Sequence, residues 1–182
     1  MTESNTALIA LGANLGKPEA AFRRALERLA GEGVEVAAVS GLWRSPAWPE
    51  GSGAPDYLNA VAKVRTGLEA EALLALLHKL EAEAGRKRGV RNAPRELDLD
   101  LLDYEGRVVA GELTLPHPRL QSRAFVLLPL WEVEPEWEHP VSGQGVWEMM
   151  GRLGSEDVMA TMRIPGLQDY NATNTQLRHP RA

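Results

Sequence analysis

The sequence contains no cysteine, which excludes a disulfide scaffold, a thiolate zinc site and a cysteine nucleophile, and suits a reducing compartment. Aromatic residues are scarce, at 5%, which counts against a sheet that stacks nucleic-acid bases between rings and basic side chains. Positive charge is in the minority, with 20 Lys and Arg against 25 Asp and Glu for a formal net charge of −5. Any anion site must therefore be local. No apolar run approaches the roughly 18 residues of a membrane span, and Met1 to Thr6 carries no basic n-region; a cytoplasmic protein without span or signal peptide is expected. What is present is ample for a core: 182 residues, 44% hydrophobic and 25% charged, the profile of one globular domain with short additions.

Ala7 to Leu11 is an apolar run ending in Gly12-Ala13-Asn14-Leu15-Gly16, and Lys17-Pro18 then opens a stretch with Phe22, Ala25, Leu26 and Leu29 at helical spacing. That is strand, turn and helix. Val34, Val36, Ala38 and Leu42 alternate through a second strand, the Pro- and Gly-rich stretch 45–55 reads as a loop, and a third strand is expected over 57–64. Leu73, Leu76, Leu77 and Leu80 mark an amphipathic helix over 68–84, stopped at Gly85. Leu97, Leu99 and Leu101 alternate with Asp98 and Asp100 in a fourth strand. The order β-α-β-β-α-β predicts an α+β, ferredoxin-like sandwich. A short strand near Val108, a helix over 122–133 and another over 146–153 form a C-terminal helical extension, and 165–182, polar and rich in Asn and Thr, reads as an irregular tail.

Side chains two apart on a strand share a face, so Asp98 and Asp100 look out together, about 7 Å apart, above the packed leucines. Like charges there repel. A solvated outer face and a Mg²⁺ site both fit, since Mg²⁺ takes one or two carboxylates and completes its shell with water and phosphate. The stretch from Gly85 to Arg95 carries Arg86, Lys87, Arg88, Arg91 and Arg95 and no acidic residue. Alone it would be a solvated loop; beside two aspartates it suits a polyphosphate clamp, because guanidinium forks match phosphate oxygens. His117 stands between Pro116 and Pro118 with Arg123 a short distance on, either capping a carbonyl or converging with Arg123 on one ligand. The glycine turn at 12–16 is a strong turn signal but lacks the ending of a P-loop. Tyr57 and Asn59, on one strand face, form either a structural pair or a ring and an amide for a flat heterocycle.

Together these segments resemble the 6-hydroxymethyl-7,8-dihydropterin pyrophosphokinase family. The most specific stretch is Arg91-Asn92-Ala93-Pro94-Arg95-Glu96-Leu97-Asp98-Leu99-Asp100-Leu101-Leu102. Around it stand Leu11-Gly12-Ala13-Asn14-Leu15-Gly16, Trp43-Arg44-Ser45-Pro46, Pro55-Asp56-Tyr57-Leu58-Asn59-Ala60, Leu115-Pro116-His117-Pro118 and Arg123-Ala124-Phe125. The resemblance covers about residues 7–160 and departs where Asn92 replaces a common Trp and Pro118 a common aromatic. It implies a pyrophosphokinase domain over 1–163 and a tail over 164–182. It implies transfer of pyrophosphate from ATP to the pterin alcohol, releasing AMP, with two Mg²⁺ ions on Asp98 and Asp100. Arg86, Arg88, Arg95, His117 and Arg123 would then contact ATP, with His78 and Glu81 lining the nucleotide site. Tyr57 and Phe125 would sandwich the pterin while Asn59 and groups near Ser45 and Pro46 read its edge. The expected partners are these two small molecules, with no nucleic acid or membrane, and a monomer is the expected state. Two rivals remain: a ferredoxin-like sensing module that binds a phosphorylated metabolite without turnover, and a nucleic-acid binder with a steep salt dependence.

Overall fold

In the computed structural model, residues 4–47, 50–85, 95–167 and 170 are described. The chain runs β1 (Asn5–Ala13), α1 (Pro18–Gly31), β2 (Glu35–Val39), β3 (Leu42–Ser45), β4 (Tyr57–Thr66), α2 (Ala70–Glu83) and β5 (Asp98–Tyr104). After one 3₁₀ turn at Leu120–Ser122 come α3 (Ala124–Val133), α4 (Val146–Met150), α5 (Ser155–Ala160) and β6 (Met162–Ile164). Alternation along β1 feeds two cores: Ala7, Ile9 and Leu11 pack on one side, Leu8 and Ala10 on the other. A strand buried on both faces belongs inside a sheet, and β1 pairs antiparallel with β4 on one side and β5 on the other. The sheet runs β5-β1-β4-β3-β6, with β2 also paired to β4.

Three layers result. Helices α1 and α2 bring Phe22, Leu26, Leu73 and Leu77 against one face of the sheet. On the opposite face α3 and α4 bring Leu127, Leu130, Val146 and Met149 against Leu8, Val61 and Leu102. This second layer keeps α3 over the sheet, which matters for the site.

The structure amends the expected elements in four places. The single second strand is two, because Ser40 interrupts it: its Oγ accepts the Val61 N–H at 2.9 Å in place of a ladder carbonyl, and its own N–H donates to the Val61 carbonyl at 2.9 Å. The short strand near Val108 is a lone bridge between Val109 and Leu115. The expected helix over 146–153 ends at Met150. Finally, the end of β6 and Leu167 extend the packed chain past residue 163. Gly166 makes this possible: at φ 139° it passes so close to Leu42 that an added Cβ would sit 2.3 Å from Cδ1, and Leu167 follows it fully buried into the core. Among the described residues no helix is long and apolar enough to cross a membrane.

Candidate active site

Strand register builds the floor. Asp98 lies opposite Gly12, Gly12 opposite Asn59, and Asn59 opposite Trp43, in one row across four strands. Asp100 lies opposite Ala10 in the next row on the same face. Leu99 and Leu101 turn the other way and are buried with α1 and α2, so the period-2 reading of this strand holds where the aspartates stand. Gly12 contributes no side chain, and the space above it opens into a cleft of about 450 Å³, within the range of small-molecule sites.

The walls come from separate elements. Ser45 and, just past it, Pro46 line the cleft from the end of β3, Tyr57 and Asn59 from β4, Arg95 from the segment entering β5, His117 and Arg119 from the Pro-flanked loop, and Arg123 and Phe125 from the start of α3. Asn59 is 5% exposed. Its Nδ2 donates to the Trp43 carbonyl at 3.1 Å and to Ser45 Oγ at 2.9 Å. Oδ1 is thereby turned toward Gly12, where an added Cβ would lie 3.7 Å from it. The floor therefore presents a fixed hydrogen-bond acceptor.

Charge is concentrated at the opposite end. Arg95 Nη1 donates to Asp98 Oδ2 at 2.8 Å, and His117 Nε2 lies 4.0 Å from Asp100 Oδ2. The Arg123 guanidinium stands 5.5 Å from the centroid of the Phe125 ring, a cation–π distance. Burial holds the His117 pKa below its ordinary value; Asp100 opposes that and Arg123 and Arg119 reinforce it. The Arg119 N–H donates to His117 Nδ1 at 3.2 Å, so the neutral ring carries its proton on Nε2, facing Asp100. Burial likewise lowers the Arg123 pKa, against the pull of Asp100, and raises that of Tyr57. Three guanidiniums facing two carboxylates suit a polyanion that arrives with cations.

His78 and Glu81 are not among the residues that line the cleft. His78 is exposed on α2, while Glu81 is 3% exposed and its Oε1 accepts the Leu99 N–H at 2.7 Å, satisfying an outward donor of the edge strand. Arg86, Arg88 and Asn92 lie outside the described residues. Two contributors were missed by the sequence reading. Arg119 sits just past His117 and had only that spacing to signal it. Asn14, 4% exposed, accepts the Arg95 N–H at 2.8 Å and donates to the Pro55 carbonyl at 3.2 Å, so the glycine turn is a bracket for the site rather than a phosphate cradle.

Known proteins resemble this chain over most of its length. The family model described as 7,8-dihydro-6-hydroxymethylpterin-pyrophosphokinase (HPPK) matches residues 8–135. The 2-amino-4-hydroxy-6-hydroxymethyldihydropteridine pyrophosphokinase of Synechocystis sp. is 37% identical over 164 residues, 89% of this chain and 82% of that protein. Its namesake in Methylorubrum extorquens is 39% identical, covering 81% of this chain and 92% of its own length. A mitochondrial folate synthesis bifunctional protein of Pisum sativum is 31% identical, with 93% of this chain matched but only 36% of that one. Wild-type Plasmodium falciparum HPPK-DHPS superposes with a TM-score of 0.68 at 13% identity, over 92% of this chain and 45% of that chain, a likeness of fold alone. With most of its length matched at such identity, the chain belongs to the 7,8-dihydro-6-hydroxymethylpterin-pyrophosphokinase family, and its activity is pyrophosphoryl transfer from ATP to hydroxymethyldihydropterin in folate synthesis.

Proposed function

We propose that this transfer takes place in the cleft above Gly12, with the pterin at the Asn59 end and the ATP phosphates at the Asp98 end. The cross-strand row carries the assignment. Asp98 and Asn59 stand two strands apart on one floor, about 10 Å at usual strand spacing, which suits a two-ring heterocycle whose alcohol arm reaches the phosphates. Asn59 Oδ1 accepts from the heterocycle's amino edge, groups at Ser45 and Pro46 complete that edge, and Tyr57 and Phe125 lie against its faces.

Asp98 and Asp100 offer oxygen donors only, and no cluster of three metal-ligating side chains occurs among the described residues. A carboxylate pair of this kind fits Mg²⁺, which fills its remaining positions with phosphate and water. Bound there, Mg²⁺ supplies charge neutralisation on the phosphates. The chain's own cations do the rest. Arg95, oriented by Asp98, and Arg123 pair with phosphate oxygens, and neutral His117 donates from Nε2. By the family resemblance, Arg86 and Arg88 would contact the same phosphates. The pterin hydroxymethyl oxygen attacks the β-phosphorus in line, AMP departs, and rate enhancement comes from alignment and charge stabilisation.

We also propose that the fold is ferredoxin-like, β2 and β3 sharing the position of its second strand, that the pyrophosphokinase domain over 1–163 is extended by β6 and Leu167, and that the protein acts as a cytoplasmic monomer. The deciding experiment is AMP release from ATP. It should require both Mg²⁺ and hydroxymethyldihydropterin; nucleotide binding without AMP release would favour a sensing module.

A further inference from the structure

The two walls of the pterin end hang on different layers. Ser45, Tyr57 and Asn59 belong to the sheet, whereas Phe125 belongs to α3, which packs on the sheet through Leu127 and Leu130. Greasy packing sets a layer spacing but fixes register poorly. Two polar ties fix it: the Lys63–Glu134 pair between β4 and the end of α3, and the more densely bonded Glu132. Glu132 lies seven residues beyond Phe125, hence on the same helix face, and it reaches down to the sheet. Its Oε2 accepts the Gly41 N–H at 2.8 Å, while Oε1 accepts the Trp43 indole N–H at 3.1 Å and Arg163 Nε at 2.7 Å.

Each partner leads back to the site. The Trp43 carbonyl accepts from Asn59 Nδ2, the amide whose other end floors the cleft. Arg163 stands on β6 directly opposite Trp43, and its guanidinium lies on Gly41, where an added Cβ would come within 2.7 Å of Nη2. Only glycine leaves room for that stack. Three donors converge on one carboxylate, one of them a guanidinium, and charge-assisted bonds are the strong ones. A neutral amide at the same position would present an N–H₂ to at least one of them.

We propose that Glu132 is a positioning residue for the pterin subsite, holding the Phe125 ring at a set distance from the Asn59 amide by pinning α3 to Trp43 and Arg163. This rests on the reading of the cleft given above. It also gives β6, a segment far along the chain from every site motif, a role in substrate selection.

The test measures hydroxymethyldihydropterin and ATP binding separately, with an unreactive ATP analogue present for the former, in Glu132→Ala, Glu132→Gln and Arg163→Ala. The expected result is a rise of about tenfold or more in pterin Kd for both Glu132 variants and a smaller rise for Arg163→Ala. ATP affinity should change by less than about twofold, and KM for the pterin should move more than kcat. Leu130→Ala loosens α3 without touching the clamp and serves as the stability control. Unchanged pterin affinity in the Glu132 variants, or an equal loss in Leu130→Ala, overturns the proposal. Should Glu132→Ala fail to fold, Glu132→Gln and Arg163→Ala carry the test. Asn59→Ala and Phe125→Ala separate the two levels: if they leave pterin binding intact the subsite reading falls, whereas if they weaken it and Glu132→Ala does not, only the clamp does.

Discussion

Replacing Asp98 or Asp100 with Asn removes charge and leaves volume, so catalysis and stability should respond on different scales. The Arg95–Asp98 pair is 2.8 Å long, and its side chains are 26% and 24% exposed. Such a pair near solvent contributes at most about 1 kcal/mol, and an Asn oxygen still accepts from Arg95. Asp100 lies 4.0 Å from His117 and its side chain is 38% exposed, so its loss costs the fold little. Turnover is another matter: a ligand whose charge acts mainly in the transition state should take away about 3 kcal/mol or more, a hundredfold or greater in rate. Single-turnover AMP formation at saturating Mg²⁺, read beside denaturant unfolding, separates the two. Wild-type turnover in either variant would refute the metal assignment, and a stability loss as large as the activity loss would show that the aspartates serve the fold instead.

Gly12→Val should reduce pterin affinity about tenfold or more with little change in melting temperature, since the added Cβ meets nothing nearer than Asn59 Oδ1 at 3.7 Å while the branched methyls fill the floor; calorimetry with each ligand checks it. Asn14→Ala strands the Arg95 N–H and the Pro55 carbonyl and should cost about 1 to 3 kcal/mol in chemical unfolding. Asp103 is 6% exposed, and its Oδ1 has no hydrogen-bond partner among the described residues. Burial raises its pKa against the pull of the Gly106 N–H and the Trp137 side chain. A carboxyl raised in the folded state favours folding when protonated, and that contribution is lost as pH rises through the folded value. Asp103→Asn should therefore stabilise the protein at neutral pH, with the gain shrinking as pH falls toward the ordinary carboxylate range; thermal melts across pH would show a flat difference if the carboxyl were not strained by burial.

What could be read from the sequence followed from period and from motif. Asp98 and Asp100 alternate with Leu99 and Leu101, and that pattern alone placed two carboxylates on one side of a strand. The same rule fails three residues later. Strict alternation would send Asp103 into the layer of Leu101, but β5 slips against β1 between Leu8 and Ile9, Leu102 goes unpaired, and Asp103 turns to the α3 side with it. A bulge leaves no mark in hydrophobic periodicity. Ser40 reads as one polar residue in an alternating run, and only the position of Val61 converts its hydroxyl into a strand break. Glu81 sits on the face that carries Leu77 and Leu80, a position where a carboxylate makes sense only once an edge-strand N–H is known to lie above it. Arg119 meets the rest of the cleft lining only in the fold, Glu132 and Arg163 bond partners far away in sequence, and Leu167 is buried because Gly166 steers it there, in a stretch whose composition reads as tail.

The bracket made by Asn14 has a thermodynamic consequence. One buried amide holds both Arg95, in the segment that enters β5, and Pro55, two residues before Tyr57, so the two proposed subsites share an anchor. If Arg95 binds phosphate and Tyr57 faces the pterin as proposed, ordering Arg95 would restrain Asn14 and through it the approach to Tyr57, and ordering Tyr57 would restrain Arg95 in return. Whichever substrate arrives first bears most of the entropy of fixing the shared anchor, and the second meets a surface already set. Linkage requires the favour to be equal in both directions. The ratio of ATP affinities with and without pterin must therefore equal the ratio of pterin affinities with and without ATP, and severing the bracket should move both ratios toward one together.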